Sequence, residues 1–352
     1  MHPASSPSAS VPAWQLQSAA LLAWALLVVL MLGGAIGIDR TFVIDQANYL
    51  NNFAWDPSLQ WVEHLMPGGF SLKSLIVGVF SEEVLWHIWT TSLGSLLEPT
   101  TAIIITVCVI NLLIALSVVR LPDPVLPLLI WLVLPVGFAA TGLSLLRQGL
   151  AFAVMLYIAL RRNRPVLGTL VAAMIHTTFL LALPFAVIAW LFRRKRLFAL
   201  SVSAGLGFFV AYVGGMLFAA FGGRRLNTYG VNETEATSIL YVIGALLCSL
   251  PSIFRLLTPA SSGETAVQSR TLATLALMHV GIIAFVATSF FVFPLGAGRV
   301  GYFATLLLIP ILPTMRRRDS VIGMLLFAVL MLYFVYLAIK AYLDGGYDIY
   351  IS

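Results

Sequence analysis

In a chain this apolar few residues can do chemistry, and they fall in four short constellations. The first is Thr141-Gly142-Leu143-Ser144-Leu145-Leu146-Arg147-Gln148-Gly149-Leu150-Ala151. Arg147 and Gln148 begin an apolar run, with Ser144 a turn earlier and Ala151 a turn later on one helical face. A guanidinium at a helix start adds its donors to the positive end of the helix dipole, a combination suited to a diphosphate. The alternative is an arginine that snorkels to anchor the helix end. The second is Ala173-Met174-Ile175-His176-Thr177-Thr178, in the middle of an apolar run. Gly168 and Ala172 precede His176 at helical spacing, so a small-residue face leads to the imidazole and turns it into the bundle. There it can serve as a base, donate to a phosphate, or make a plain interhelical hydrogen bond.

The third constellation, Pro294-Leu295-Gly296-Ala297-Gly298-Arg299-Val300-Gly301-Tyr302, leads a glycine-rich turn into a run headed by an arginine. This repeats the logic of Arg147, with Tyr302 one turn on, although turns between spans need glycine in any case. The fourth lies nearer the N-terminus. Asp45 and Tyr49 share one face if their segment is helical, and the Glu82-Glu83 pair precedes a Trp-rich stretch from Val84 to Trp89. Carboxylates here are either site residues or simply solvated.

What must position these residues is set by composition. Of 352 residues 60% are hydrophobic and only 10% charged, with a mean hydropathy of +0.99. A soluble domain has about a quarter of its residues charged, so lipid is the solvent here. In lipid every backbone polar group must be paired internally, which leaves helix bundles and closed barrels. The apolar runs are about 18–25 residues long and lack period-2 alternation, which selects the bundle. The expected fold is all-α: one polytopic transmembrane domain over 16–340, between a Ser/Pro/Ala-rich tail at 1–15 and a C-terminal tail at 341–352. About ten spans are predicted, at 16–38, 100–119, 125–142, 144–160, 166–190, 197–221, 237–257, 271–293, 299–314 and 319–340. The first is a retained anchor, because it lacks the positive n-region of a signal peptide. Residues 39–99 form an external segment rich in tryptophan, with helices lying at headgroup depth.

The net charge of +6 comes from arginine clusters between apolar runs, so it reports topology and not nucleic-acid binding. Placing every cluster in the cytoplasm makes the counts from the two ends collide at 165–192. That stretch contains Pro184, so two half-helices or a re-entrant hairpin are expected there; the alternative is an external Arg193–Arg196 cluster. Cys108 and Cys248 are too few for a disulfide framework or a metal site. The sequence holds no P-loop, nucleophile elbow, Cys/His dyad or metal-ligand cluster, which argues against ATPases, metal hydrolases and Ser or Cys hydrolases. No metal and no cofactor are expected.

Taken in order, the four constellations resemble the EpsG family of bacterial polysaccharide polymerases, relatives of the Wzy type. The family's D-x-x-x-Y reads Asp45…Tyr49 here, and its E-P-x-F-like motif reads Glu83-Val84-Leu85-Trp86. Its R-Q-x-x-A helix reads Arg147-Gln148-Gly149-Leu150-Ala151, its H-x-[ST] reads His176-Thr177-Thr178, and its R-x-x-Y-F reads Arg299, Tyr302 and Phe303. The likeness spans roughly 39–315. It implies a membrane glycosyltransferase of the broad GT-C type in a bacterial inner membrane. Such an enzyme joins undecaprenyl-diphosphate-linked oligosaccharide repeats on the periplasmic face. On that reading Arg147 and Arg299 bind the diphosphate. Glu83, His176 and Asp45 are the catalytic candidates, in that order for a base. Gln148, Tyr49, Tyr302 and Trp86 contact substrate. Expected partners are the lipid-linked oligosaccharide, membrane lipid and a chain-length regulator protein. The rival readings are a transporter or flippase of the same lipid and an O-antigen ligase. A transporter predicts polar residues in both membrane halves, and a ligase shares the arginine logic.

Overall fold

The computed structural model describes residues 44–65, 72–134, 136–192, 195–221, 239–258, 264–292, 297–315 and 321–343, with 17, 18, 20, 21, 24 and 25 of the first apolar run. The tail at 1–15 and most of the expected anchor lie outside the described residues. Among the described residues the elements are helical and no strand occurs. Within 39–99 the described elements are α1 (Ile44–Trp55), a 3-10 turn at Asp56–Ser58, a helical turn at Trp61–His64, α2 (Leu72–Ser81) and α3 (Val84–Gly94). The apolar remainder gives α4 (Pro99–Val118), α5 (Val125–Val133), a π-helical stretch at Val136–Ser144, α6 (Leu146–Arg162), α7 (Pro165–Ala173) and α8 (Thr178–Leu191). After these come α9 (Arg196–Phe221), α10 (Ile239–Leu257), α11 (Ala266–Val292), α12 (Ala297–Ile311) and α13 (Val321–Leu343).

Local chemistry accounts for the boundaries. Pro99 and Pro165 open α4 and α7 at positions where a missing N–H costs nothing. Asn163 closes α6 in the left-handed conformation, its N–H returning to the Ile158 carbonyl. Gly137 leaves helical backbone inside the π-helical stretch, and the α5–π pair is bent by 72° instead of forming the straight span expected at 125–142. By length and composition α4, α9 and α11 can each cross a membrane, and the bent pair makes a fourth crossing if counted as one. Three further apolar helices are shorter, α6 with 17 residues, α8 with 14 and α12 with 15.

In lipid there is little hydrophobic gain in helix association, so close packing and polar links hold helices together. α9 crosses α11 at glycines: a Cβ on Gly207 would strike the Gly281 carbonyl, and one on Gly281 would strike the Phe185 ring of α8. Gly168 similarly brings α7 against the Met155 carbonyl of α6. Asn111 is one such polar link: its Oδ1 accepts from Trp131 Nε1 at 2.9 Å and its carbonyl from Trp24 Nε1 at 3.4 Å. The tryptophans of 39–99 mostly turn inward. Trp89 Nε1 donates to Thr106 at 3.0 Å and Trp61 Nε1 to Thr91 at 3.1 Å, while Trp55 is exposed.

The run 166–190 is broken as expected, but at a different place. Pro184 lies inside α8, and the break falls at Met174–Thr177, between α7 and α8. The freed Met174 carbonyl accepts from the Leu85 N–H of α3 at 3.0 Å. A third segment thus satisfies the break, which puts the start of α3 against His176.

Candidate active site

The site is assembled around Glu83. This residue caps the start of α3 with φ 52° and ψ 51°, a left-handed backbone that costs a non-glycine residue about 1 kcal/mol or more. Such strain persists only where surroundings impose it, and here the surroundings hold the carboxylate. Its Oε1 accepts from His176 Nδ1 at 2.7 Å, from the Thr177 N–H at 2.9 Å and from the Thr177 hydroxyl at 3.1 Å. Its Oε2 accepts from Arg147 Nη1 at 2.8 Å. Because a carboxylate only accepts, His176 must carry its proton on Nδ1. His176 Nε2 lies 3.4 Å from the Thr178 hydroxyl.

Burial would raise the Glu83 carboxyl. The hydrogen bond and charge of His176, the charge of Arg147 and the Thr177 N–H outweigh that and hold it at about 2, down from its ordinary 4.5. The carboxylate is therefore ionised throughout the physiological range.

Arg147 opens α6 just after the π-helical stretch, where Leu145 leaves helical backbone and Gly149 lies so close to the Thr141 carbonyl that a Cβ there would clash. The Glu83 carboxylate pins one Nη, and the Arg147 side chain stays 42% exposed. Tyr49 of α1 is hydrogen-bonded to the same guanidinium. The Tyr49 ring sits edge-on to Trp86, with centroids 5.5 Å apart, and Trp86 is buried on α3. One donor in this cluster, Trp86 Nε1, is buried without a hydrogen-bond partner among the described residues, and so is Gln148 Nε2, next in sequence to Arg147. An orphaned buried donor is costly, and one beside a partly exposed guanidinium suits a ligand rich in oxygen.

The expected residues Tyr49, Glu83, Trp86, Arg147 and His176 thus meet from four separated stretches, and Gln148 is buried beside Arg147 in sequence. Of the Glu82-Glu83 pair only Glu83 enters the site; Glu82 is half-buried and its N–H bonds to the Gly78 carbonyl. The C-terminal constellation reaches the site's edge through Phe303, whose ring packs on Phe179 at 4.4 Å, one turn after His176. Tyr302 is half-buried against the same core. Arg299 and Asp45 belong to α12 and α1, but their side chains lie outside the described residues, as does the Pro294–Gly296 turn.

A model of the EpsG family matches residues 22–351. The chain belongs to the EpsG family. EpsG is a family of Wzy-like polysaccharide polymerases, so the chain is an apolar helical membrane protein of polysaccharide biosynthesis. Neither a curated protein nor a solved structure matches it. The motifs that carried the resemblance include those that meet at Glu83.

Sequence reasoning passed over three features. The left-handed backbone of Glu83 has no sequence signal, since glycine and asparagine are its usual carriers. The bond from Leu85 to Met174 is a backbone contact. Asp56 and His87, which form a second acid–histidine pair at 2.9 Å, have a separation of 31 residues that matches no motif.

Proposed function

We propose that the protein polymerises lipid-diphosphate-linked oligosaccharide repeats by glycosyl transfer on the periplasmic face of a bacterial inner membrane. The observation that carries this is the Arg147 guanidinium. It is held by Glu83 and Tyr49, its side chain is 42% exposed, and the Trp86 ring packed on Tyr49 carries a buried Nε1 that has no partner among the described residues. Breaking a glycosyl–diphosphate bond leaves its electron pair on the phosphate oxygen, and preorganised cationic donors stabilise that charge. A guanidinium meets phosphate oxygens with two parallel donors, which an ammonium cannot do.

The transfer balances without a cofactor. The acceptor sugar hydroxyl attacks the anomeric carbon of the growing chain, the bond to the undecaprenyl diphosphate breaks, and the hydroxyl proton leaves with a base. Arg147, with Arg299 as its expected partner, holds the diphosphate. Gln148, Trp86, Tyr49 and Tyr302 line the path of the sugars and phosphates. Glu83, first among the expected bases, has both carboxylate oxygens occupied by donors, which favours its holding Arg147 and His176 in register. His176 and Asp45 are the further catalytic candidates. A chain-length regulator is the expected protein partner.

Deletion of the gene, with the surface polysaccharide resolved on a gel, tests the reading. A deletion strain that keeps single-repeat material and loses the long-chain ladder supports it. Unchanged chain lengths in that strain overturn it.

A further inference from the structure

Glu83 is saturated by donors, so the proton of the acceptor hydroxyl needs another destination, and α3 carries one. His87 stands one turn after Glu83, its N–H directed at the Glu83 carbonyl at 3.3 Å, so the two backbones are about 6 Å apart along the helix. His87 Nδ1 donates to Asp56 Oδ2 at 2.9 Å. Asp56 is held in turn by the Thr90 hydroxyl on the same oxygen and by the Thr91 hydroxyl, which donates to its carbonyl at 3.1 Å. The Trp61 indole stacks on the imidazole at 5.1 Å with planes 11° apart, fixing the ring, and is itself tied to Thr91.

Three histidines can be compared. His176 has Nδ1 on Glu83 and Nε2 beside the Thr178 hydroxyl. His279 has Nδ1 against the Ser252 hydroxyl at 2.8 Å and Nε2 sealed inside the bundle. Only His87 combines a carboxylate that fixes its tautomer with an Nε2 that has no partner among the described residues and a side chain that is 21% exposed. A carboxylate on Nδ1 leaves the Nε2 lone pair as the basic site and stabilises the imidazolium that forms on protonation.

We infer that His87, oriented by Asp56, is the base that takes the acceptor hydroxyl proton in the glycosyl transfer proposed above, on which this inference rests. As the new C–O bond forms, the hydroxyl proton passes to His87 Nε2. The electron pair of the broken C–O bond leaves on the diphosphate beside Arg147. Asp56 is a positioning residue that acts through the imidazole.

The test uses the full-length purified protein and single-repeat lipid extracted from a strain lacking the gene. Elongation kcat and lipid Kd are measured for wild type, H87N and D56N. Both replacements keep a hydrogen bond at the Asp56–His87 contact, so a purely structural pair would survive them. General-base catalysis contributes about 10²–10⁴-fold. H87N is therefore expected to lose about 100-fold or more in kcat with Kd within about twofold, and D56N to lose about 10-fold or more with the same unchanged Kd. An H87N kcat within about threefold of wild type overturns the assignment. If H87N does not accumulate, D56N is read against the same threefold limit. Failures are separable: an active wild type with an active H87N removes only the base, whereas a wild type that binds the lipid and never elongates it removes the glycosyl-transfer reading as well.

Discussion

Glu83 and Arg147, 64 positions apart in sequence, meet at 2.8 Å, and the carboxylate covers only part of the guanidinium. The pairing fixes where the cation sits while leaving donors for a ligand. A half-buried pair of this kind is a poor source of stability, because desolvation and solvent screening offset most of the attraction. Its value lies in holding the fork in place before substrate arrives.

Arg147→Lys keeps the charge and loses the fork. We expect R147A to lose about 100-fold or more in elongation rate, the scale of removing one preorganised donor to a developing oxyanion. R147K should retain only a minor part of the activity, because a point charge cannot bridge two phosphate oxygens. Steady-state elongation at matched protein abundance checks both; a fully active R147A would remove the clamp.

Trp86→Phe separates packing from hydrogen bonding. The ring is buried against Tyr49 and Phe53 and its Nε1 has no partner among the described residues, so the phenyl ring gives up no hydrogen bond seen there. If the N–H meets substrate, KM should rise several-fold with the melting temperature nearly unchanged. A shift in melting temperature with no shift in KM would make the indole merely structural.

Gly149→Ala tests the seat of Arg147. A Cβ at this position would run into the Thr141 carbonyl, which is backbone and yields only if α6 moves. Overpacking of this sort costs about 1–3 kcal/mol. The variant should melt lower and elongate more slowly, with lipid Kd raised. Unaltered melting and activity would show that the α6 start is not held by this contact.

The Glu83 carboxyl is held at about 2 against an ordinary 4.5. A depressed carboxyl contributes stability above its unfolded value and loses it as pH falls through the folded one. The melting difference between wild type and E83Q should therefore be constant above about pH 5 and shrink between about pH 4.5 and 2. Elongation should show no acid limb from Glu83 above pH 5. A gap that instead widens on acidification would show that the carboxylate is not ionised in the folded protein.

Much of this was legible in the sequence because lipid simplifies the code. Long apolar runs fixed the helices, and rare polar residues within them marked Arg147 and His176. Their order singled out Glu83 and Tyr49, which no periodicity would have joined. What stayed hidden was backbone-level. Pro184 was the obvious breaker of 166–190, yet a proline forfeits a single helical bond and α8 absorbs it. The chain breaks at Met174–Thr177 instead, where Leu85 takes a freed carbonyl and Thr177 turns its N–H to Glu83. Asp56 and His87 were passed over because their pairing depends on the turn after α1 folding back on α3.

The most direct test is elongation by the purified protein in liposomes, with single-repeat undecaprenyl-diphosphate lipid and product length read on a gel. A ladder of lengths, present with wild type and lost with R147A, is the predicted result. Lipid that crosses the bilayer or stays bound while every product remains one repeat long would contradict it.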